Sequence, residues 1–307
     1  MRAVLVVNPM ATATTRKGRD ILARALGREI KVDVVETDGR GHATTLAQQA
    51  TDGSVDLIVA LGGDGTVNEV VNGLLADGPR EGLPMLAAVP GGSANVFSRA
   101  LGLSRDPIQA TSEILDALRS NRTRSVSLGL ADTRWFTFSA GLGLDAEVVQ
   151  RVENQRRKGR NATPGLYIRS AVTQFFADTD RQTPALTLHR PDAAATEGLF
   201  FGIVSNTSPW TYAGRHPVNP SPNASFETGL DLFAMTSMRT TKMLRQTLQA
   251  LRNHPHPRGR SQLRLHDQAE LRFTASRPVA LQLDGEYVGR RESVTFRSVP
   301  HALRVVA

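Results

Sequence analysis

The sequence predicts a mixed α/β protein in which a parallel α/β domain is followed by a domain of antiparallel strands. Three observations favour this class. Up to about residue 120, short β-rich runs alternate with helical patterns, as in a parallel sheet with crossover helices. Two glycine-rich turns each follow an apolar strand and precede a helix. Beyond about residue 125, short strand-like runs are separated by turn residues, as in an antiparallel sandwich or barrel.

The elements of the first domain follow from the spacing of its apolar residues. Strands are predicted at Ala3–Asn8, Ile30–Glu36, Val55–Leu61 and Met85–Val89, and helices at Lys17–Leu26, His42–Ala50, Val67–Leu75, Asn95–Leu101 and Pro107–Leu118. The nearly unbroken apolar run of the third strand indicates burial on both faces. After it, apolar residues recur at intervals of three and four, which is typical of one face of a helix. Pro107 suits the first turn of its helix.

The second domain reads as many short strands with three helical stretches between them. Strands are predicted at Ser125–Leu130, Arg134–Ser139, Ala185–His189, Leu199–Ser205, Leu230–Met235, Gln262–Leu265, Ala269–Ala275, Val279–Leu283 and Ser293–Arg297, and the last residues, Ala302–Val306, form another β-rich run beyond this domain. Helices are predicted near Asp145–Arg157, Leu166–Phe176 and Thr240–Arg252, and the alanine-rich Pro191–Thr196 as a hairpin tip. We place the domain boundary at 125/126, with the second domain covering residues 126–298.

Composition excludes several classes of protein. Hydrophobic residues make up 40% of the 307 residues, which argues against a disordered chain, and the longest apolar runs are too short for a membrane helix. The absence of cysteine excludes disulfides and thiolate metal sites and fits a reducing cytosol. A formal charge of +8 suits anionic partners such as nucleotides or acidic lipid headgroups. Aromatic residues are only 5% and do not alternate with basic residues, which disfavours nucleic acid.

The strongest chemical signal is the pair of glycine-rich turns. The first is Gly62-Gly63-Asp64-Gly65-Thr66 and the second is Pro90-Gly91-Gly92-Ser93-Ala94-Asn95. Glycines let the backbone approach a polyphosphate closely, and the N–H groups at the start of the following helix face that anion. Two such turns on successive strands indicate two walls of one nucleotide site. Neither a P-loop nor a dinucleotide fingerprint is present.

These motifs resemble the diacylglycerol kinase catalytic-domain family, which includes bacterial lipid kinases and sphingosine and ceramide kinases. The resemblance rests on Gly62–Thr66 continued by Val67-Asn68-Glu69-Val70-Val71-Asn72-Gly73, on Asn8-Pro9, on Thr37 with Gly41-His42-Ala43, and on the second glycine turn. It implies a Rossmann-like N-terminal domain, a C-terminal antiparallel β-sandwich domain that holds the lipid, and ATP with Mg²⁺ between them. It also implies that residues 299–307 return to the first domain.

The resemblance assigns roles to individual residues. It implies ATP contacts for Asn8, Pro9, Thr37, Gly62, Gly63, Asp64, Gly65, Thr66, Val67, Asn68, Gly92 and Ser93, with Glu69 and Asn95 in supporting polar contacts. Ser93 replaces a threonine that is usual in the family, and both carry a hydroxyl. An indirect Mg²⁺ role through the nucleotide is one expectation for Asp64, and capping of its own helix is the other.

The candidate catalytic group is the Asp284-Gly285-Glu286 turn after a predicted strand. Local sequence alone predicts an ordinary hairpin turn, because Asp-Gly is common there. The resemblance implies instead that Asp284 is the general base for a substrate hydroxyl, with Glu286 as the second candidate. A family Asp-Asp-Gly segment, linked in some members to a structural Mg²⁺, has Thr228 in place of the second aspartate here, so we expect that ion to be missing.

Membrane contact is suggested by two surface features. A basic cluster ends a predicted helix; it consists of Arg156, Arg157, Lys158 and Arg160. These cations either complement the helix dipole or dock on anionic lipid. The Pro209-Trp210-Thr211-Tyr212 loop and Arg215 fit a membrane boundary, a lipid pocket or ordinary packing. His254 and His256 lack the neighbours of a metal site. We expect a cytoplasmic protein, peripherally bound to an anionic membrane surface, and leave open whether it is a homodimer.

The function predicted from sequence is therefore ATP- and Mg²⁺-dependent phosphorylation of a lipid hydroxyl, on diacylglycerol or a related lipid. Two alternatives remain. An ATP–NAD kinase shares the Gly-Gly-Asp-Gly-Thr turn, although the residues after that turn fit a lipid kinase better. A non-catalytic lipid- or nucleotide-binding relative would explain the altered Asn-Pro loop and Thr228.

Overall fold

The structure is a computed structural model that describes residues 1–53, 55–158, 164–214, 216–252 and 259–307. The chain forms two compact units, one of Met1–Leu128 with Pro300–Ala307 and one of Gly129–Val299. Parallel β-α units in the first and antiparallel strands in the second confirm the predicted mixed α/β class. No helix in these described ranges is long and apolar enough to cross a membrane.

The first unit is a parallel sheet with crossover helices. Its strands are β1 (Arg2–Val7), β2 (Lys31–Glu36), β3 (Leu57–Gly62) and β4 (Met85–Pro90), and its helices are α1 (Arg16–Gly27), α2 (His42–Asp52), α3 (Asp64–Leu74), α4 (Val96–Ala100) and α5 (Pro107–Arg119). The strand order is β2-β1-β3-β4, and Val305 near the chain end pairs in parallel with Leu86 of β4. Every residue of β3 and β4 is buried, as expected of strands covered on both faces.

Local sequence explains where these helices start. The Thr15 side chain accepts a hydrogen bond from the Gly18 N–H at the start of α1. Asp106 caps α5 in the same way, and Pro107 occupies its first turn, where no N–H is needed. Each cap satisfies backbone donors that have no partner inside the helix.

The second unit is built mainly of antiparallel strands. They are β5 (Thr123–Ala131, which starts in the first unit), β6 (Arg134–Phe136), β7 (Ser139–Leu142), β8 (Leu186–Arg190), β9 (Ala193–Leu199), β10 (Phe201–Ser205), β11 (Thr211–Ala213), β12 (His216–Val218), β13 (Leu230–Met235), β14 (Gln262–Gln268), β15 (Glu270–Leu283) and β16 (Glu286–Val306). The helices are α6 (Leu144–Arg157), α7 (Pro164–Thr173), continued by a π-helical turn (Gln174–Asp178), and α8 (Thr240–Ala250).

The long strands β15 and β16 connect the sections of the sheet in this unit. The first half of β15 pairs with β8 and the second half with β7, and the pairing of β15 with β16 shifts register between Thr274 and Val279. Phe273 and Leu281, from opposite sides of that shift, belong to the same buried apolar cluster. Two sections of one bent sheet therefore enclose the main core of this unit. A second apolar cluster, around Phe233 and Met235, is covered by α8 and the π-helical turn.

Some predicted elements differ from the observed ones. The predicted tip Pro191–Thr196 is shorter, because Ala193–Thr196 belong to β9. The predicted strands Ser293–Arg297 and Ala302–Val306 are parts of the single strand β16. The loop expected around Trp210 instead leads into the β11–β12 hairpin, and Trp210 packs on the second apolar cluster. Polar and proline-containing strands such as these carry little apolar periodicity, which is why the sequence pattern missed them.

Candidate active site

The first site lies where the strands of the first unit end. In the strand order β2-β1-β3-β4, the chain passes from β1 to β2 on one side and places β3 on the other side of β1. The boundary between β1 and β3 is therefore a topological switch point, where parallel α/β sheets bind their ligands. The Asn8 N–H, just after β1, donates to the Leu61 carbonyl at 2.9 Å. The Asn8 side chain donates from Nδ2 to Thr66 Oγ1 at 3.0 Å, and its Oδ1 accepts from the Met10 N–H. Asn8 thus ties the loop after β1 to the start of α3.

The two glycine-rich turns pack backbone against backbone. The Gly91 N–H donates to the Gly62 carbonyl at 2.7 Å. A Cβ added to Gly92 would lie 2.6 Å from Gly63 Cα, and one added to Gly62 would lie 2.5 Å from Thr66 Oγ1. Real Cβ atoms essentially never approach so closely, so glycine is required at these positions. The sequence prediction that the turns form two walls of one site is consistent with this mutual contact, which lies wholly within the first unit.

The start of α3 presents polar groups beside these turns. Gly63 is extended and precedes the first helical residue, Asp64, while Gly65 is exposed with open space where a Cβ would be. Asp64 Oδ1 accepts a hydrogen bond from the Phe97 N–H at 3.1 Å. The carboxylate of Asp64 therefore caps α4, the helix after the second glycine turn. This contact joins the two turns a second time.

Four of the predicted contact residues contact other parts of the protein. Val67 and Asn68 are buried, and the Asn72 amide donates to both the carbonyl and Oδ1 of Asn68. Glu69 Oε2 accepts from the Ala43 N–H at 3.3 Å, at the start of α2. Asn95 has a φ of 49° and bonds through both side-chain atoms to Gly92 at 2.8 Å. These side chains support the loops that carry the site.

The other predicted contacts lie at the strand ends. Thr37 follows β2, is half-buried, and donates its N–H to the Val7 carbonyl at 2.8 Å. Pro9 and Ser93 are exposed, at the tips of the loops after β1 and β4. All three follow the carboxyl ends of parallel strands of this sheet, so the predicted positions share one edge of the sheet.

This edge fits a polyphosphate, and its donor set fits one magnesium ion. The turns leave a cradle without Cβ atoms next to the N-terminus of α3, where helix N–H groups and the helix dipole favour an anion. Asp64 is a single half-buried carboxylate there. Magnesium is commonly held by one or two carboxylates together with substrate phosphates. Asp64 with a bound nucleotide would match that pattern.

In the second unit, Asp284 and Gly285 form a tight hairpin turn. Leu283 pairs with Glu286, and φ is 49° at Asp284 and 77° at Gly285. Two positive φ values in a two-residue loop define the type I′ turn, which suits the Asp-Gly sequence. The Asp284 N–H donates to the Ser139 carbonyl at 2.8 Å, which anchors the turn to β7.

The Asp284 carboxylate is buried and fully hydrogen-bonded. Its Oδ2 accepts from the Thr137 N–H at 2.6 Å and from Thr137 Oγ1 at 2.8 Å. Its Oδ1 accepts from the N–H groups of Phe138 and Ser139 at 3.0 and 3.1 Å. Burial raises the pKa of Asp284, while the hydrogen bonds from these backbone N–H groups and the Thr137 hydroxyl oppose that rise. The turn is thereby fixed to the segment between β6 and β7.

Glu286, the second predicted catalytic residue, lies just after the turn. Its Oε2 accepts from Arg134 Nη2 at 2.6 Å, and both side chains are partly exposed. The guanidinium holds this carboxylate in place beside the hairpin.

Sequence reasoning missed a third carboxylate beside this turn. Asp145 stands at the start of α6, and its Oδ2 accepts from Gln282 Nε2 at 2.7 Å. Gln282 is buried, and its Oε1 accepts from the Gly285 N–H at 2.8 Å, so Gln282 links Asp145 to the hairpin. Burial raises the pKa of Asp145 from 3.8 to about 6. A Cβ at Gly141 would lie 1.8 Å from Asp145 Oδ2, so this arrangement requires glycine there.

Asp145 has the environment of an acid/base group. It is half-buried, and among the described residues only Gln282 is seen to donate to it. A pKa near neutrality and a free lone pair are both needed to accept a proton from a substrate. The signal in the sequence was the Gly141-Leu142-Gly143-Leu144-Asp145 run, whose glycines precede a helix that starts with an aspartate.

The region around Thr228 holds a buried, hydrogen-bonded carboxylate, that of Asp231. The Thr228 hydroxyl donates to the Ser225 carbonyl. Asp231 is buried, and its Oδ1 bonds to His266 Nδ1 at 2.7 Å and accepts from the Asp267 N–H at 3.1 Å. Burial raises the pKa of Asp231, against these hydrogen bonds. Within the described ranges, no group of three His, Cys, Asp or Glu side chains could hold a metal ion.

Four residues singled out from the sequence, two of them in the predicted membrane features, lie outside the described residues. These are Arg160, Arg215, His254 and His256. Arg156 and Arg157 form the last turn of α6, where cations complement the helix dipole, and Lys158 follows as its cap.

Comparison with known proteins adds a family match. Residues 2–131 match the diacylglycerol kinase catalytic domain. A diacylglycerol kinase of Bacillus subtilis strain 168 is 28% identical over 229 residues, which cover 65% of this chain and 72% of the relative. A diacylglycerol kinase of Staphylococcus epidermidis is 34% identical over 143 residues, which cover 44% of this chain and 41% of the relative. The chain thus spans less than half the length of the staphylococcal relative.

Solved structures share the fold along the whole chain. The crystal structure of a diacylglycerol kinase from Bacillus anthracis strain Sterne superposes with a TM-score of 0.73 at 18% identity, covering 99% of this chain and 96% of that one. An NAD kinase from Archaeoglobus fulgidus in complex with ATP has a TM-score of 0.52 at 13% identity, covering 100% of this chain and 94% of that one. At such identities the similarity concerns the fold.

Proposed function

Since the chain belongs to the diacylglycerol kinase catalytic-domain family through residues 2–131, we propose that it transfers the γ-phosphoryl group of ATP to a lipid hydroxyl. Diacylglycerol, or a related lipid alcohol, is the proposed acceptor. The observation that carries the proposal is the pair of glycine turns packed on each other at the edge where β1 and β3 end. Such a Cβ-free cradle beside a helix N-terminus suits a nucleotide polyphosphate.

The proposed nucleotide contacts come from backbone groups and short polar side chains. The N–H groups at Gly63 and Gly65 would face the phosphates, with Asn8 keeping Thr66 and the start of α3 in place. Thr37 and Ser93 lie at the same edge and would contact the rest of the nucleotide. Phosphoryl transfer depends mainly on positioning and on charge stabilisation, so a rigid cradle is the principal requirement for this unit.

Magnesium would be held by Asp64 together with the nucleotide phosphates. When bound, it neutralises negative charge that develops on the phosphoryl oxygens. Capping of α4 by Asp64 would keep that carboxylate at the glycine turns.

The hydroxyl-activating group is proposed among the carboxylates of the hairpin. In the reaction, the lipid oxygen forms a bond to the γ-phosphorus, the bond from phosphorus to the bridging oxygen of ADP breaks, and the hydroxyl proton passes to a carboxylate. Asp284 is the base that the family resemblance implies. Its four hydrogen bonds use both oxygens, which favours Asp145 as the proton acceptor and Asp284 as the residue that positions the turn.

The test is transfer of labelled γ-phosphate from ATP to lipids in mixed micelles, with Mg²⁺ or with a chelator. The acceptors are diacylglycerol, a sphingoid base, other lipid alcohols and NAD⁺ in separate reactions. The variants are Asp145→Asn, Asp284→Asn and the control Asp192→Asn, which changes an exposed aspartate of the β8–β9 turn. We expect a labelled lipid that requires Mg²⁺, a loss of at least a hundredfold in kcat for Asp145→Asn, and an unchanged control.

Three outcomes would contradict parts of this proposal. Labelled NAD⁺ without labelled lipid would replace the lipid kinase by an NAD kinase. No labelled acceptor, with ATP still bound, would indicate a binding protein without turnover. Full activity of Asp145→Asn, with a folded but inactive Asp284→Asn, would return the base role to Asp284.

A further inference from the structure

Helix α8 carries an exposed apolar stripe next to basic side chains. Leu244, Leu248 and Leu251 have exposed fractions of 59%, 55% and 40%. Their spacing of four and three places them on one side of the helix. Arg245 of the helix and Arg252, which follows its end, are both exposed and line the same surface hollow as Leu244 and Leu248. We call these five residues the leucine–arginine face.

The opposite side of α8 is already in contact with the second unit. Met243 packs against the apolar cluster that contains Phe233 and Met235. Near the end of the helix, the Ala250 carbonyl accepts from the Asn219 N–H at 2.8 Å. These contacts fix the orientation of α8, so its leucines face solvent while its other side packs against the protein.

The charge of this segment has one sign. Residues 239–252 contain Arg239, Lys242, Arg245 and Arg252 and no acidic residue. Within the described part of the chain, no carboxylate forms an ion pair with any of these four cations. Elsewhere on the surface, several arginines are paired in this way, including Arg119 and Arg151. Arg245 and Arg252, the two cations beside the leucine stripe, therefore remain available to an anionic partner.

We propose that the leucine–arginine face of α8 docks the protein on an anionic lipid bilayer. An amphipathic helix with leucines on one side and arginines beside them lies in the membrane interface, with its apolar side among the acyl chains and its cations at the headgroups. A second copy of the chain is a poorer occupant, because it would bring its own Arg245 and Arg252 against the same two cations. The proposal rests on the proposed lipid kinase function, since a lipid acceptor resides in such a bilayer.

The experiment measures binding of the purified full chain to vesicles by co-sedimentation, at low and at physiological salt. One vesicle set contains phosphatidylglycerol in phosphatidylcholine, and the other contains phosphatidylcholine alone. The variant Arg245→Gln/Arg252→Gln removes two cations from the face, and its control Arg80→Gln/Arg105→Gln removes two exposed arginines of the first unit. Leu244→Gln/Leu248→Gln has as its control Ile108→Gln, at a site with the same 59% exposure as Leu244.

We expect binding to the anionic vesicles only. The double arginine variant should bind roughly thirtyfold more weakly, since each cation near such a surface contributes about 1 kcal/mol. The double leucine variant should bind at least about tenfold more weakly at both salt concentrations, because its loss is apolar. Both controls should bind within about twofold of the unmodified chain, apart from a small long-range charge effect of the arginine control.

Activity on a short-chain, monomerically soluble diacylglycerol separates this proposal from the proposed function. Unchanged activity there, with reduced vesicle binding and reduced activity on vesicle-borne lipid, supports docking through α8. Equal vesicle binding by all variants would overturn the proposal while leaving kinase function intact. A dimer in analytical ultracentrifugation that is lost in Leu244→Gln/Leu248→Gln, with vesicle binding unaltered, would assign the face to a second copy and equally overturn it.

Discussion

Replacing Asp145 by asparagine should make the protein more stable at neutral pH while removing activity. Asp145 is a half-buried carboxyl whose pKa burial raises from 3.8 to about 6. The folded protein therefore holds a proton on Asp145 more tightly than the unfolded chain does. Asparagine has the same size and no charge, and its side-chain oxygen still accepts from Gln282 Nε2, the one hydrogen bond seen to Asp145 Oδ2.

The magnitude follows from the difference between the two pKa values. A group whose folded pKa is raised binds more protons when folded, so the folding stability falls as the pH rises between 3.8 and about 6. Above pH 6 this decrease in folding stability is complete, and it amounts to about 3 kcal/mol at most. Asp145→Asn has no titrating group at this position, so its stability does not decrease in this way. The free energy of unfolding of the variant, relative to the unmodified chain, should therefore be nearly equal at pH 4, rise through pH 5, and level off above pH 6.

Urea unfolding at a series of pH values between 4 and 8 measures this difference. The control is Asp192→Asn, because that aspartate is exposed in a turn of the same unit and the change in net charge is identical. The same preparations are assayed for phosphoryl transfer. If Asp145 is the base, kcat/KM of the unmodified enzyme should decline below about pH 6, as the carboxylate takes up its proton.

Two results would refute this reasoning. A stability difference between Asp145→Asn and the unmodified chain that does not change with pH would show that burial does not raise the pKa of Asp145. A lower stability of the variant at pH 7, with a normal control, would show that the charged carboxylate makes favourable contacts that outweigh its burial.

Three further changes test the roles of neighbouring groups. Gly92→Ala should lower the free energy of unfolding by about 1–3 kcal/mol and abolish ATP binding, because its Cβ would lie 2.6 Å from Gly63 Cα. Its control, Gly65→Ala, has open space around the new Cβ, so it should fold normally and only weaken ATP binding in calorimetry. Glu69→Ala should lower the stability by about 1 kcal/mol through loss of its contact with the start of α2, and ATP affinity should change by less than about twofold; a large loss of affinity would instead make Glu69 a nucleotide contact. Asp284→Ala should lower the stability by at least about 3 kcal/mol in urea titration, because three backbone N–H groups lose their acceptor; a fully stable, inactive variant would contradict its role as an anchor.

The features that depend on local pattern could be predicted from the sequence. Apolar spacing predicted the strand β3 and the helix α3, and Pro107 marked the start of α5. The glycine turns and the Asp-Gly hairpin could be located because positive φ values and close backbone approach restrict the residue type. The long bent strands β15 and β16 were predicted as several short ones, since a bend interrupts the pattern without ending the strand.

What each polar side chain contacts was decided by the tertiary structure, because those partners are distant along the chain. Glu69 and Asp64 sit in the glycine-turn motif, yet Glu69 meets α2 and Asp64 meets α4. Asp284 could be placed in a turn from its sequence, but its burial against residues 137–139 could not. Nothing in the sequence assigned Asp145 a role, because it is one of several aspartates in predicted helices. Its burial beside Gln282, which distinguishes it, is visible only in the tertiary structure. Residue type and spacing therefore determine the loops and the family, while burial and distant hydrogen bonds determine which carboxylates can take up a proton.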